Sequence, residues 1–279
     1  MTKKPVGHQN DQPRRVSPRC WQGLAAGSAI ALATAPAFAQ SVPYLLPANQ
    51  GGMLWLAEGE GGEGGEAGAV AEVGADVAYL AELAIVEGHL VAAMDLYRKG
   101  MADEAADLSR HPEAEMMDEV RQRLADHGAA DVTPAMAAFS AAMEAKADLP
   151  TVATALADAQ AAFAAAALPE AGDLRTRADA LVALVKAAAH EYEGSTEGGT
   201  VGDVMAYHEA HAFIEVARNL ATVLAAEPAA KTQAEKALAA LAEADEAFGD
   251  MTKTELEAKD PAILLAVAAK VELVLSSVR

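Results

Sequence analysis

Cysteine is almost missing from this chain: one residue, Cys20, stands among 279. A disulfide framework is therefore excluded, and so are the soft thiolate sites that hold zinc clusters or copper(I). Aromatic residues make up 4%, and alternating β-branched runs, the usual mark of a strand, are lacking. There is no G-x-S-x-G elbow, no glycine-rich phosphate loop after a strand and no dinucleotide fingerprint. With no thiol beyond the first 39 residues, nucleophilic catalysis has no support, and the chain is expected not to be an enzyme. Basic residues are scarce too: 21 Lys and Arg face 41 Asp and Glu, for a formal charge of −20. Such a chain repels nucleic acid and anionic membrane surfaces and is compatible with cations.

What is present begins with an export signal. Residues 1–39 combine a basic stretch (Lys3, Lys4, Arg14, Arg15, Arg19), an apolar run from Trp21 to Ala35, and Ala37-Phe38-Ala39, a signal-peptidase site that predicts a cut before Gln40. The apolar run is too short to stay in a bilayer. Arg14-Arg15 invites a twin-arginine reading, but Val16-Ser17-Pro18 lacks the large apolar residue that route expects, so Sec and Tat export both stay open. Cleavage removes five basic residues, one acid and the only cysteine, taking the formal charge from −20 to −24. The expected location is periplasmic or secreted. No other uninterrupted apolar run reaches the length of a membrane span, so no membrane insertion is expected after cleavage.

Residues 40–68 read as a flexible lead-in. Pro43, Pro47, Gly51 and Gly52 break its first half, and its second half is a Gly/Glu tract from Glu58 to Glu66. From Ala69 to the end the periodicity is helical, and residues 69–279 are expected to form one helical-bundle domain. Helices are expected over 69–99, 103–109, 112–127, 133–147, 150–167, 171–193, 203–226, 229–247 and 260–277. Pro112 and Pro134 suit first-turn positions, and Gly100 and Gly128 suit helix ends. The tract 193–200 is the clearest internal loop and a candidate hinge. The fold class is all-α: a tight antiparallel bundle whose core must be Ala, Leu, Val and Met. A faint similarity between 79–87 and 207–215, at an offset of 128, leaves room for two repeated halves.

Three His/carboxylate clusters are candidate metal sites, since His and Glu suit iron, zinc or copper(II). The first joins Glu87 and His89 to His111 and Glu115. Glu87 shares an apolar stripe with Leu80, Leu83, Leu90 and Met94, so it needs a cation, a donor or a proton. Gly88 costs about 1 kcal/mol against Ala inside a helix, which predicts close backbone approach. Met94, Met101, Met116 and Met117 nearby would supply thioether help to copper. His-Pro-Glu at 111–113 is equally a helix start. The second cluster is His208, His211 and Glu215, on one helical face, where Glu215 has Arg218 as a competing partner. Because position 212 is Ala, the zincin pattern H-E-x-x-H fails and a metalloprotease is rejected.

The third cluster is Ala188-Ala189-His190-Glu191-Tyr192-Glu193. It resembles the G-x-H-x-x-E motif of imelysin-type exported helical bundles, which include the periplasmic component of some ferrous-iron uptake systems, with Ala188 in place of Gly. The organisation is similar as well: signal, acidic lead-in, Ala-rich helices, scattered His and Glu. The resemblance implies iron binding, with His190 and Glu193 as ligands. The expectation is thus a periplasmic protein that binds iron or copper, with zinc conceivable, for uptake or sequestration. The alternative is a scaffold that presents an Ala/Leu groove to a protein partner, with the histidines incidental.

Overall fold

The computed structural model describes residues 63–71, 73–168, 173–251, 253 and 255–279. The expected leader and cleavage site, and the lead-in up to residue 62, lie outside the described residues. The fold is all-α, in the order α1 (Glu63–Ala71), α2 (Ala75–Arg98), α3 (Ala102–Leu108), α4 (His111–Glu115), α5 (Met117–Asp126), α6 (Thr133–Glu144), α7 (Leu149–Ala166), α8 (Leu174–Ser195), α9 (Val204–Ala225), α10 (Lys231–Ala242) and α11 (Ala262–Leu275). A short 3-10 turn, Glu243–Glu246, continues α10.

The punctuation explains the boundaries. Asp148, Asp173 and Asp203 accept hydrogen bonds from the backbone N–H groups that open α7, α8 and α9. Pro112, Pro134 and Pro150 lie in the first turns of α4, α6 and α7. Gly100 and Gly128 close α2 and α5 at φ values of 81° and 64°, a region an L side chain avoids.

Three features depart from the sequence reading. Helix α1 begins at Glu63, inside the segment read as a flexible lead-in. Packing against α8 and α2 offsets the poor propensity of its glycines. The helix expected over 112–127 is two helices, broken at Met116, whose φ of −140° is not helical. The tract expected to hinge two halves is a tight connection: α8 runs on to Ser195, and Thr196–Glu197 pairs antiparallel with Thr200–Val201 around Gly198 and Gly199. On either side of it α8 and α9 lie directly against each other.

Helices α8, α9, α10 and α11 each touch two others of the set and close a four-helix bundle. Helix α2 lies on the α8/α9 face of that bundle and carries α3, α5 and α7 on its other side, with α6 packed on α7 and α3. Two apolar clusters therefore meet at α2. Ala84 and Ile85 belong to the cluster of the C-terminal bundle, whereas Tyr79, Leu83, Val86 and Leu90 belong to the other. Among the described residues, α2 is long and apolar enough to cross a membrane by length and composition; 78% of its most apolar window is buried inside the protein. Glu82, Glu87 and His89 interrupt the run, which is why no unbroken apolar stretch of that length is visible in the sequence.

Gly88 shows what α2 needs at its centre. A Cβ there would fall 2.2 and 2.5 Å from two ring carbons of Phe213 on α9. The missing side chain lets the two helices close around that ring, which in turn meets the His89 ring edge-on at 5.5 Å.

Candidate metal centre

His89 is the hub. Its side chain is 1% exposed, and its Nδ1 lies 2.9 Å from the carbonyl oxygen of Ile85, one turn earlier. A carbonyl only accepts, so Nδ1 carries a proton and Nε2 is the atom turned toward the neighbouring helices. Three carboxylates meet it there. Glu66 Oε1 of α1 stands at 3.3 Å, Glu209 Oε1 of α9 at 3.4 Å, and Glu115 Oε2 of α4 at 3.8 Å. His111 completes the group from the far side, with Nδ1 3.6 Å from Glu209 Oε1 and 3.8 Å from Glu115 Oε1. Five side chains on four helices thus converge.

Glu191 of α8 adds a fourth carboxylate. It is 3% exposed. It is repelled by Glu66, Glu209 and Glu115 in that order.

The electrostatics describe a site built for positive charge. Burial alone would lower the His89 basicity, but Glu66, Glu209 and Glu115 outweigh it and raise it. Glu66 is pushed up to about 7 by burial, with repulsion from Glu209 and Glu115 opposed by His89 and His111. Burial, with the repulsion just named, pushes Glu191 up to about 9. Glu209 goes the other way: burial would raise it, but His89 and His111 on either side hold it below the usual carboxylate range. The buried Glu209 Oε1 has no hydrogen-bond partner among the described residues, although two imidazoles stand within 3.6 Å of it. A metal ion would supply positive charge there.

The donor set fits a hard or borderline cation. Glu66, His89 and Glu115 offer one oxygen, one nitrogen and one oxygen all within 4.8 Å of one another. Two atoms bound at about 2.1 Å to one ion lie about 3.0–3.4 Å apart, so small rotamer adjustments bring the set into coordination range. The bond from His89 to the Ile85 carbonyl supplies the outer-shell support that orients a ligand imidazole.

Of the residues singled out from the sequence, His89, His111 and Glu115 come together here. Glu87 does not. Two residues from His89 on a helix, it projects from another face and accepts a 2.9 Å hydrogen bond from Gln160 of α7. That bond answers its burial, which raises its carboxyl. His190 and Glu193 are exposed on α8, and of the two buried residues between them, Glu191 and Tyr192, it is Glu191 that is repelled by the carboxylates of the centre. Glu215 is paired with Arg218 at 2.5 Å, and Arg218 also holds Asp245. His211 faces Asp95 at 3.9 Å and lies edge-on to Phe248. Met94 and Met117 are buried in the apolar cluster around α2, with Met101 and Met116 packed against it.

His208 is a separate case. It is 1% exposed, and neither ring nitrogen has a hydrogen-bond partner among the described residues. Burial, with Lys99 and His211 adding to it, pushes its pKa down to about 4, so the ring is neutral. A cation beside it would meet the Lys99 charge, which disfavours a metal there. A buried polar group without a partner costs about 1–3 kcal/mol. His208→Leu is accordingly expected to stabilise the protein by about 1–2 kcal/mol in urea denaturation. A loss of stability would mean that the ring has a partner after all.

Glu66, Glu191 and Glu209 were missed by the reading of the sequence. Glu191 and Glu209 carried a usable signal. Each is an isolated carboxylate among apolar residues at helical spacing: Leu184, Ala187 and Ala188 before Glu191, and Phe213, Val216 and Leu220 after Glu209. Glu66 carried none, because its tract looks like a tether.

Residues 169–278 match the family model of the iron permease-associated 4-helix bundle domain. That segment holds α8–α11 and is the closed four-helix bundle described above. No characterised protein and no solved structure matches the chain. The matched segment supplies Glu191 and Glu209 to the centre; Glu66, His89, His111 and Glu115 come from the residues before it.

Proposed function

We propose that this protein binds iron outside the cytoplasm, at the centre formed by Glu66, His89, His111, Glu115, Glu191 and Glu209, and hands it on or holds it as part of iron uptake. The observation that carries this reading is the convergence of three carboxylates on Nε2 of a buried histidine whose other nitrogen is already committed. A purely structural core has little use for it, since the buried acids Glu66, Glu191 and Glu209 destabilise the metal-free fold. The likeness of residues 169–278 to an iron permease-associated domain points to iron as the cargo. Carboxylate and imidazole donors suit iron(II) and iron(III), whereas the copper reading leaned on methionines that serve the apolar core. The role proposed is binding rather than catalysis. Kinship with imelysin-type bundles would rest on the organisation of the chain, since His190 and Glu193, which carried the motif, are not part of this centre.

The test is metal analysis of the purified mature chain after separate loading with iron, copper and zinc, repeated with His89→Ala and Glu115→Gln. Circular dichroism would verify that each variant is folded. Iron is expected to be retained by the wild type and lost from folded His89→Ala. A chain that keeps no metal in any condition would sink the proposal and leave the scaffold reading.

A further inference from the structure

Resting on that reading, we infer that the centre holds two divalent cations side by side, bridged by Glu115 and Glu209. The geometry has two ends. At one end His89 Nε2 meets Glu66 Oε1; at the other stands His111 Nδ1. Between them lie two carboxylates that each address both histidines. Glu115 turns Oε2 to His89 and Oε1 to His111, both at 3.8 Å. Glu209 places Oε1 3.4 Å from His89 and 3.6 Å from His111. Glu115 presents one oxygen to each imidazole, as a two-oxygen bridge does, and Glu209 sets a single oxygen midway between them, as a one-oxygen bridge does. A single ion would draw the Glu115 oxygens to the same side.

Charge balance agrees. Glu66, Glu115, Glu191 and Glu209 carry four negative charges when ionised, and two neutral imidazoles add none. One divalent ion leaves an excess of two negative charges, and two ions cancel it. Four carboxylates and two histidines from facing helices are also the donor set with which helical bundles hold paired iron or manganese ions, and such pairs keep their metals about 3.5–4 Å apart. Glu66 is the terminal ligand at the His89 end. Glu191, buried on α8 and repelled by the other three acids, is the reserve carboxylate that balances the second charge.

Manganese(II) is the probe, because it substitutes for iron(II), does not oxidise readily and reports pairing by electron paramagnetic resonance. The mature wild-type chain is titrated with manganese(II) under equilibrium dialysis, with spectra recorded at saturation, and iron(II) is titrated anaerobically in parallel. Two ions per chain with the spectrum of an exchange-coupled pair are expected. His111, whose side chain is 31% exposed, is replaceable without a core defect. His111→Ala is expected to bind one ion, showing the sextet of an isolated manganese, at the His89 end. One ion in the wild type would overturn the pair and leave the iron-binding proposal standing. Two uncoupled ions, or a His111→Ala variant that still binds a coupled pair, would overturn the bridge. No binding of either metal would overturn the parent proposal as well.

Discussion

Glu209→Gln is expected to lower the affinity of the centre for iron(II) by a factor of about 100 or more, equivalent to about 3 kcal/mol. Glu209 Oε1 lies 3.4 Å from His89 and 3.6 Å from His111, so one neutral amide removes charge from the middle of the site rather than from its rim. Its burial makes the loss hard to screen, because water does not reach a side chain 8% exposed. Glutamine keeps the volume, so packing between α2 and α9 is preserved and the defect reads as binding. The matched control is His190→Ala together with Glu193→Ala. Both side chains are exposed on α8, and their removal is expected to change iron affinity by no more than about twofold, the scale of ordinary surface substitutions. Isothermal titration with iron(II) under nitrogen separates the two. A large loss in the α8 double variant, with none in Glu209→Gln, would place the ligands on the imelysin-like motif and not in the interior.

The second large effect is on the stability of the metal-free protein above pH 6.5. Glu191 is pushed up to about 9 and Glu66 to about 7, so in the native state both hold protons that the unfolded chain has already released. His89 and His111 are likewise raised. For each of these four groups the native state binds more protons than the unfolded state, so stability falls as pH rises toward the folded values. The opposing groups work at acid pH. His208, pushed down to about 4, penalises the native state as pH falls below 6.5, and Glu209 loses its contribution below the usual carboxylate range.

Stability without metal is therefore expected to be highest near neutrality on the acid side and to decline up to pH 9. Glu191 alone accounts for roughly 3 kcal/mol of that decline, which for a domain of this size is roughly 6–12 °C in Tm. Glu191→Gln is expected to flatten most of the slope, and saturating iron(II) or manganese(II) to abolish it, because the cation replaces the protons. Thermal melts at a series of pH values with and without metal decide the matter. A metal-free Tm that is constant from pH 6.5 to 9 would show that the acids are hydrated in solution and not buried together.

How much of this was legible beforehand depends on the kind of signal. Helix positions followed from local chemistry: first-turn prolines at 112 and 134 and glycines at 100 and 128 act within four residues of themselves, and the aspartate caps at 148, 173 and 203 that the structure shows act over the same range. The pairing of His89 with His111 and Glu115 was also within reach. Residues 99–101 form a tight turn, which returns the chain alongside α2 almost at once. Gly88 announced a close approach, although not that Phe213 would make it. Wrong choices arose where a residue's role depended on the helical face it occupied. Glu87 and His89 are two residues apart and face different neighbours. On α8 the inward residues are Glu191 and Tyr192, and the two that the motif had favoured, His190 and Glu193, stand exposed on either side of them.

The sequence by itself determined that this protein is a cysteine-poor, strongly acidic helical bundle, because composition, helical period and capping are properties of the chain alone. Which carboxylates share a site was decided only by tertiary structure. Glu66, Glu115, Glu191 and Glu209 lie on four different helices, separated by up to 143 residues. Their meeting at His89 follows from how α1, α2, α4, α8 and α9 pack. A periodicity shows that a helix has a buried face, but it does not show which other helix that face will meet.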